Sequence, residues 1–310
     1  MQAKIVLFLI VIFSNLVFCQ DKIIYLDSLN REVSETNYQI KRVILDYNSN
    51  KNEYKVFEYN QDGKILSEGN YADKNTTKKI GAYTSYYLNG NKKEVVNYSE
   101  FKVIGKHEQW YENGNKKLEG EYVDAPFGSG KDYKIIQFWD EYNIHKVVDG
   151  NGEFHEKDKF INYKGKIKNG YRDGVWNGTY EDKYKITEEF EAGKFIFGES
   201  SDETSTVKYS QIEQTPEPVD GINHFYKYIG NNFNYTKSSI KNNIKGKIFI
   251  KYVVEKDGKI TDVKVMKGLG HGLDEEAVRV ISSYKNWIPG KQRGRNVRFS
   301  YSIPINLSGY

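Results

Sequence analysis

The chain has 310 residues, with 46 Lys and Arg against 42 Asp and Glu for a net charge of +4, and charges of both signs are interspersed along it. That pattern describes a solvated surface and excludes a nucleic-acid footprint. Apolar residues make up only 38%, while aromatics reach 15% with 26 tyrosines, so a single large apolar core is excluded. Twisted, half-exposed sheets fit better, because tyrosine packs its ring and keeps its hydroxyl in water. The length exceeds one typical domain and predicts two units.

Residues 1–20, MQAKIVLFLIVIFSNLVFCQ, place Lys4 ahead of an unbroken apolar run from Ile5 to Phe13. This is the layout of a secretory signal peptide. Extended to Phe18, the stretch is 14 residues, short of the ~20 that a membrane-spanning helix needs. The expectation is an exported chain, periplasmic and either outer-membrane associated or secreted, with an uncleaved N-terminal anchor less favoured. Cys19 is the only cysteine, so a chain processed after it forms no disulfide. Phe18 stands where a lipoprotein signal has a small residue, which weighs against lipidation of Cys19.

Residues 21–198 carry a recurring unit. Gly81-AYTSYYLNGNKKEVVNY aligns with Gly105-KHEQWYENGNKKLEGEY at an offset of 24 residues. Each copy has an aromatic pair (Tyr86 and Tyr87; Trp110 and Tyr111), then Asn-Gly-Asn-Lys-Lys, an acid (Glu94, Glu119) and a closing tyrosine (Tyr98, Tyr122). Asn-Gly suits a two-residue type I′ turn, so each copy reads as strand, tight turn, strand. Looser copies follow Phe57, with Asp62-Gly63 at the turn, and Lys166, with Trp176 and Tyr180; a degenerate one lies at Phe138-Trp139. A lone hairpin is marginal in water, so stacked copies must bury their aromatic faces together. These residues resemble MORN-type repeats, which implies a repetitive hairpin sheet.

Residues 199–220 are poor in large apolar residues and end in Pro216 and Pro218, the composition of a linker. Beyond it, Ile222, Phe225 or Tyr226, Ile229 and Phe233 recur at helical spacing. Ile248, Ile250, Tyr252 and Val254 then alternate in a strand that turns at Asp257-Gly258 into Lys259–Lys267. A second helix is predicted over Leu273–Tyr284, with Asp274 as its cap, acids at its positive end, and Leu273, Ala277, Val280, Ile281 and Tyr284 as its buried stripe. In the last run Val297, Phe299, Tyr301, Ile303, Ile305 and Leu307 face one way, and Pro304 predicts an edge strand. The class is α+β and β-rich: a hairpin-repeat sheet, then two helices on a three-stranded antiparallel sheet.

Gly246-KIFIKYVVEKDGKITDVKV, Leu273-DEEAVRVI, Trp287-IPGKQRGR and Val297-RFSYSIPIN, in that order, resemble the TonB C-terminal domain over residues 221–310, especially the form found in energy transducers of Bacteroidetes-type bacteria. The resemblance implies a compact domain whose last strand binds a short segment of TonB-dependent outer-membrane receptors by strand addition. The chain departs from the family at Thr236, where proline is usual, and at Tyr284-Lys285, where Met-Pro is common.

The partner-binding edge is accordingly expected at Val297, Arg298, Phe299, Ser300, Tyr301, Ser302 and Ile303. Lys291, Arg293 and Arg295 form, with Arg298, a basic cluster that reads chiefly as a solvated loop; the first three are candidate contacts for an acidic partner. Tyr86, Tyr87, Trp110, Tyr111 and Trp176 are candidate surface residues of the repeats for glycan or the envelope surface, although packing between hairpins is the commoner reason for such residues. Glu153, His155 and Glu156 have metal-ligand types, but strand alternation separates His155 from Glu156. The glycine-rich loop Gly268–Gly272 precedes three acids, which would repel a phosphate, and His271 within it has no acid–base partner nearby in sequence. No catalytic constellation is recognisable, and neither a cofactor nor a metal is called for. The reading is a non-enzymatic exported adaptor that docks receptors, linked to transport across the envelope. The alternative is a structural or secreted interaction protein whose TonB-like fold no longer binds receptors, and exposed edges allow a dimer.

Overall fold

A computed structural model describes residues 20–99, 101–124 and 131–308. The signal-peptide reading and Cys19 lie outside the described residues. The chain divides into two compact units, one of residues up to 152 with 169–171, the other of 153–168 with 172 onward.

The first unit is a meander of antiparallel strands: β1 (Lys22–Leu26), β2 (Ile40–Ile44), β3 (Tyr54–Tyr59), β4 (Ile65–Tyr71), β5 (Lys79–Tyr86), β6 (Lys92–Ser99), β7 (Lys102–Trp110), β8 (Lys116–Asp124), β9 (Lys131–Trp139) and β10 (His145–Val148). Each pairs with the next in the chain. Ile44, Tyr54, Val56 and Tyr71 make a small buried cluster, with Ile24 and Tyr47 packed on it.

The turns correct one expectation. Instead of two-residue type I′ turns, the Asn-Gly hairpins have three-residue loops in which the Gly90 amide donates to the Tyr87 carbonyl (2.9 Å) and the Tyr87 amide to the Asn91 carbonyl (2.9 Å). Gly90 has φ 91°, but Asn89 is not among the residues of positive φ. The Gly90-to-Tyr87 bond closes a β-turn, the Asn89 side chain accepts from the Asn91 amide at 3.0 Å, and glycine supplies the left-handed bulge residue. Gly114 at the Tyr111–Asn115 loop repeats this geometry.

The second unit opens with β11 (Asn151–Lys157), β12 (Ile161–Lys168), β13 (Tyr171–Tyr180), β14 (Tyr184–Glu191), β15 (Lys194–Ser201) and β16 (Thr206–Tyr209), again antiparallel in chain order. Close approach of rings explains a glycine here. A Cβ at Gly165 would lie 2.3 Å from the Trp176 ring, so only glycine lets the indole cover that strand.

The segment expected as a linker is structured. Besides β16 it forms β17 (Glu213–Gln214) and β18 (Glu217–Pro218). It is held because its backbone finds strand partners further on: β18 on β21 (Trp287–Ile288), and β17 on β22 (Gly290–Gln292), which turns into β23 (Arg295–Val297).

The remaining elements are α1 (Ile222–Asn232), α2 (Lys237–Lys241), β19 (Gly246–Val254), β20 (Ile260–Lys267), α3 (Leu273–Ser283) and β24 (Phe299–Leu307). The sheet order is β20-β19-β24. The predicted stripes meet in one core: Phe225 and Ile229 from α1, Ile248, Ile250, Tyr252 and Val254 from β19, Leu273, Ala277, Val280 and Ile281 from α3, and Ile303, Ile305 and Leu307 from β24. The short helix α2 was not expected. Thr236 caps it, accepting from the Ser239 amide at 3.0 Å, so the residue that departs from the usual proline has a local task.

Candidate partner-binding edge

Strand β24 pairs along its whole length with β19, from Val254↔Phe299 to Gly246↔Leu307, and no strand pairs with its other side among the described residues. An edge is therefore open where the sequence places one, although not for every residue expected there. Val297 belongs to β23, paired to Gly290, and Arg298 is the break between β23 and β24. Arg298 holds that break by ion pairs to Glu255 (2.9 Å) and Asp262, residues flanking the β19–β20 turn. The usable edge is Phe299 onward.

Pro304 fixes which backbone groups face outward. It has no amide hydrogen, so the ladder with β19 stays complete only if its nitrogen points away from that strand. Antiparallel strands alternate the side on which successive residues bond, which turns the backbones of Ser302 and Ser300 outward as well. Both serines are exposed, whereas Ile303 and Ile305 are buried and Tyr301 is half-buried against Trp287 at 5.4 Å between rings. The Tyr301 hydroxyl donates to the Pro216 carbonyl at 2.6 Å. Beside the strand, Tyr226, Ile229, Phe233 and Tyr235 line with Pro304–Leu307 an apolar groove of about 210 Å³.

The basic cluster is not a free surface. Arg293 is 7% exposed; its Nε donates to Oε1 of Glu188 at 2.9 Å, and Glu188 is fully buried. The same carboxylate accepts from the Tyr163 hydroxyl (2.6 Å) and the Tyr209 hydroxyl (2.7 Å), and burial pushes both phenols up. Arg295 donates to the Ser200 carbonyl (2.8 Å), the Ser205 hydroxyl (2.7 Å) and Asp202 (3.5 Å). The β22–β23 turn thus finds its anions in Glu188 on β14 and Asp202 after β15, so the expectation of Arg293 and Arg295 as contacts for an acidic partner is overturned. Lys291 is half-buried on β22. Glu188 and its partners were missed in the sequence because no local pattern marks a carboxylate whose donors come from three distant strands and turns.

Trp176, expected on the surface of the repeats, is fully buried. It sits among Tyr163 (5.0 Å), Phe190 (6.1 Å) and Phe154 (6.3 Å), and its indole nitrogen donates to the Lys166 carbonyl at 3.2 Å. Tyr86, Tyr87, Trp110 and Tyr111 are half-buried. The Tyr87 hydroxyl donates to the Trp110 carbonyl and the Tyr111 hydroxyl to the Trp139 carbonyl, each at 2.9 Å, so these rings tie one hairpin to the next. Lys116 lies 4.5 Å over the Trp110 ring. A further network joins the buried His107 to the part-exposed Glu94 at 2.8 Å and to the Tyr133 hydroxyl at 2.7 Å.

Asp274 does not cap α3. The N-cap is Gly272 without a side-chain bond, and Asp274 accepts instead from the amides of Leu269 (2.9 Å) and Gly270 (3.2 Å) in the preceding loop. His271 is exposed and bonds Ser238 at 3.0 Å, while His155 bonds Asn162 at 2.6 Å. Among the described residues no group of three or more His, Cys, Asp or Glu is arranged to hold a metal.

An α+β domain with an open terminal strand is a form suited to receiving an extended peptide. Residues 231–307 match the family model for the Gram-negative bacterial TonB protein C-terminal, a non-catalytic family of energy-transducing and binding domains. The match begins in the last turn of α1, although Phe225 and Ile229 ahead of it belong to the same core. No curated protein and no solved structure gives a significant match. The match gives this part of the chain an envelope-related role in protein interaction. No helix among the described residues is long and apolar enough to cross a membrane.

Proposed function

We propose that residues 221–307 dock an extended segment of an outer-membrane TonB-dependent receptor by strand addition to β24, in an exported, non-catalytic adaptor whose MORN-type hairpins offer a second binding surface. The observation that carries this reading is the unpaired side of β24, where Ser300 and Ser302 turn backbone donors and acceptors outward. The apolar groove next to Pro304–Leu307 would receive a side chain of the incoming strand. The domain extends back to 221, because α1 supplies part of its core.

A second reading is favoured by the bonds from Arg293 and Arg295 to Glu188 and Ser200: here the domain is a fixed structural cap, and receptor binding has been lost.

The test is titration of the full chain with a panel of TonB-box peptides, comparing wild type with Ser302→Pro and Ser302→Ala. Strand addition requires binding that Ser302→Pro weakens at least ~10-fold, since it removes an outward donor and constrains the edge, while Ser302→Ala binds as wild type. Equal binding by Ser302→Pro would refute docking on this edge. Failure of every peptide to bind would favour the structural cap.

A further inference from the structure

A cleft of about 440 Å³ in the first unit lies remote in sequence from the β24 edge and is lined by Arg42, Glu58, Tyr71, Lys79, Tyr83 and Tyr98, with Thr76, Thr77, Asn30 and Phe101 at its sides. Its volume falls within the ~300–1,000 Å³ usual for small-molecule sites. Charge decides what it would accept. Arg42 is committed: Nε and Nη2 donate to Oε1 of Glu58 at 2.9 and 2.6 Å, and Nη1 donates to Thr76. Glu58 is also committed, accepting from Ser67 at 2.7 Å.

Lys79 differs. No carboxylate among the described residues lies within ion-pair distance of it; its ammonium rests 3.5 Å over the Tyr83 ring and 5.2 Å from the Tyr98 ring. Burial holds the amine below its ordinary pKa, as desolvation without a direct counter-ion does. In other networks the carboxylate has its donor in contact, Glu94 with His107 and Glu188 with Arg293. Around Lys79 a partly buried cation lines a cleft with no carboxylate among the described residues within ion-pair distance of it.

We propose that this cleft binds a monocarboxylate on a hydroxyl-rich ring, of the uronic-acid class, with the carboxylate on Lys79. One uncompensated positive charge matches one negative charge, and a dianionic phosphate would meet Glu58 as a second, like charge. The hydroxyls of Tyr71 and Tyr98 make no hydrogen bond among the described residues and are free to meet sugar hydroxyls. The half-buried Tyr98 ring and the 69% exposed Phe101 supply faces on which a sugar ring stacks. An acyl chain would leave this polar lining unsatisfied.

The experiment is calorimetric titration of the full chain with D-glucuronate, D-galacturonate and D-glucose, on wild type, Lys79→Met, Lys79→Arg and Tyr98→Phe. At least one uronate is expected to bind, and glucose at least ~10-fold more weakly, because it lacks the charge-assisted hydrogen bond. Lys79→Met should lose at least ~10-fold in uronate affinity and Lys79→Arg only a few-fold. Tyr98→Phe, which keeps the ring, should weaken binding several-fold and serves if Lys79→Met does not fold. Absence of binding by both uronates at millimolar concentration, glucose binding as well as the uronate, or a folded Lys79→Met that binds as wild type would each overturn the assignment.

Discussion

Arg293 donates from Nε to Glu188 at 2.9 Å across 105 residues of chain, and both side chains are buried. Breaking a buried pair by removing one member costs about 3–5 kcal/mol, because the partner is left as an uncompensated charge. Arg293→Met should therefore lower unfolding stability by about 3 kcal/mol in urea titration followed by intrinsic fluorescence. Peptide binding at β24 should remain unchanged under conditions where the variant is folded. A loss below about 1 kcal/mol would show that the two phenols alone satisfy the carboxylate.

At Gly165 an added methyl would meet the Trp176 ring at 2.3 Å, and that ring is itself enclosed by Tyr163, Phe154 and Phe190. Gly165→Ala is expected to cost about 1–3 kcal/mol, the range for forced overpacking. The near-ultraviolet circular dichroism of the indole should change with it, because the ring must move.

At the hairpin tip the left-handed conformation, and no neighbouring atom, is what demands glycine: Gly90 has φ 91° and nothing lies within 4 Å of a Cβ built on it. Gly90→Ala should cost about 1–2 kcal/mol and Gly90→Asn less, because asparagine tolerates this region. Thermal unfolding of the three chains would show the order wild type, Asn, Ala.

Acid sensitivity should have one identifiable contributor in Glu94. Hydrogen bonding from His107 first, and from Gln109 after it, holds this carboxyl below its ordinary value of 4.5. The folded chain thus binds fewer protons than the unfolded one between the two values, and stability rises with pH through that window. The contribution is complete above the unfolded value and is lost as pH falls through the folded one. Glu94→Gln should be less stable than wild type at pH 7, with a shallower decline in Tm between about pH 5 and pH 3. An unchanged slope would mean that the bonds to Glu94 survive its protonation.

Where contacts are local or periodic, the fold could be read from the residues. Ile248, Ile250, Tyr252 and Val254 alternate and are all fully buried, and Leu273, Ala277, Val280 and Ile281 recur at helical spacing and are buried likewise. The edge position of β24 was legible from Pro304, since a residue without an amide hydrogen is tolerated only there. The turn class was not: Asn89 suits a left-handed residue, but its side chain is better used in bonding the Asn91 amide, which leaves glycine alone at positive φ. Arg293 and Arg295 look like a solvated basic loop when only neighbours in sequence are considered, because their anions stand on strands about a hundred residues earlier. Segment 199–220 misleads for the same reason, its few apolar residues being no guide to backbone partners at Trp287–Gln292.

The bonds from Tyr87 to Trp110 and from Tyr111 to Trp139 join successive hairpin tips in the first unit. One repeat of 24 residues is two strands, so it returns the chain to the same side of the sheet, heading in the same direction and with the same residues on each face. Duplication of such a copy would introduce a tyrosine and the carbonyl that receives it together. The sheet can therefore be lengthened or shortened in whole hairpins during descent, by gene duplication or deletion in steps of one copy, without any new contact having to be invented.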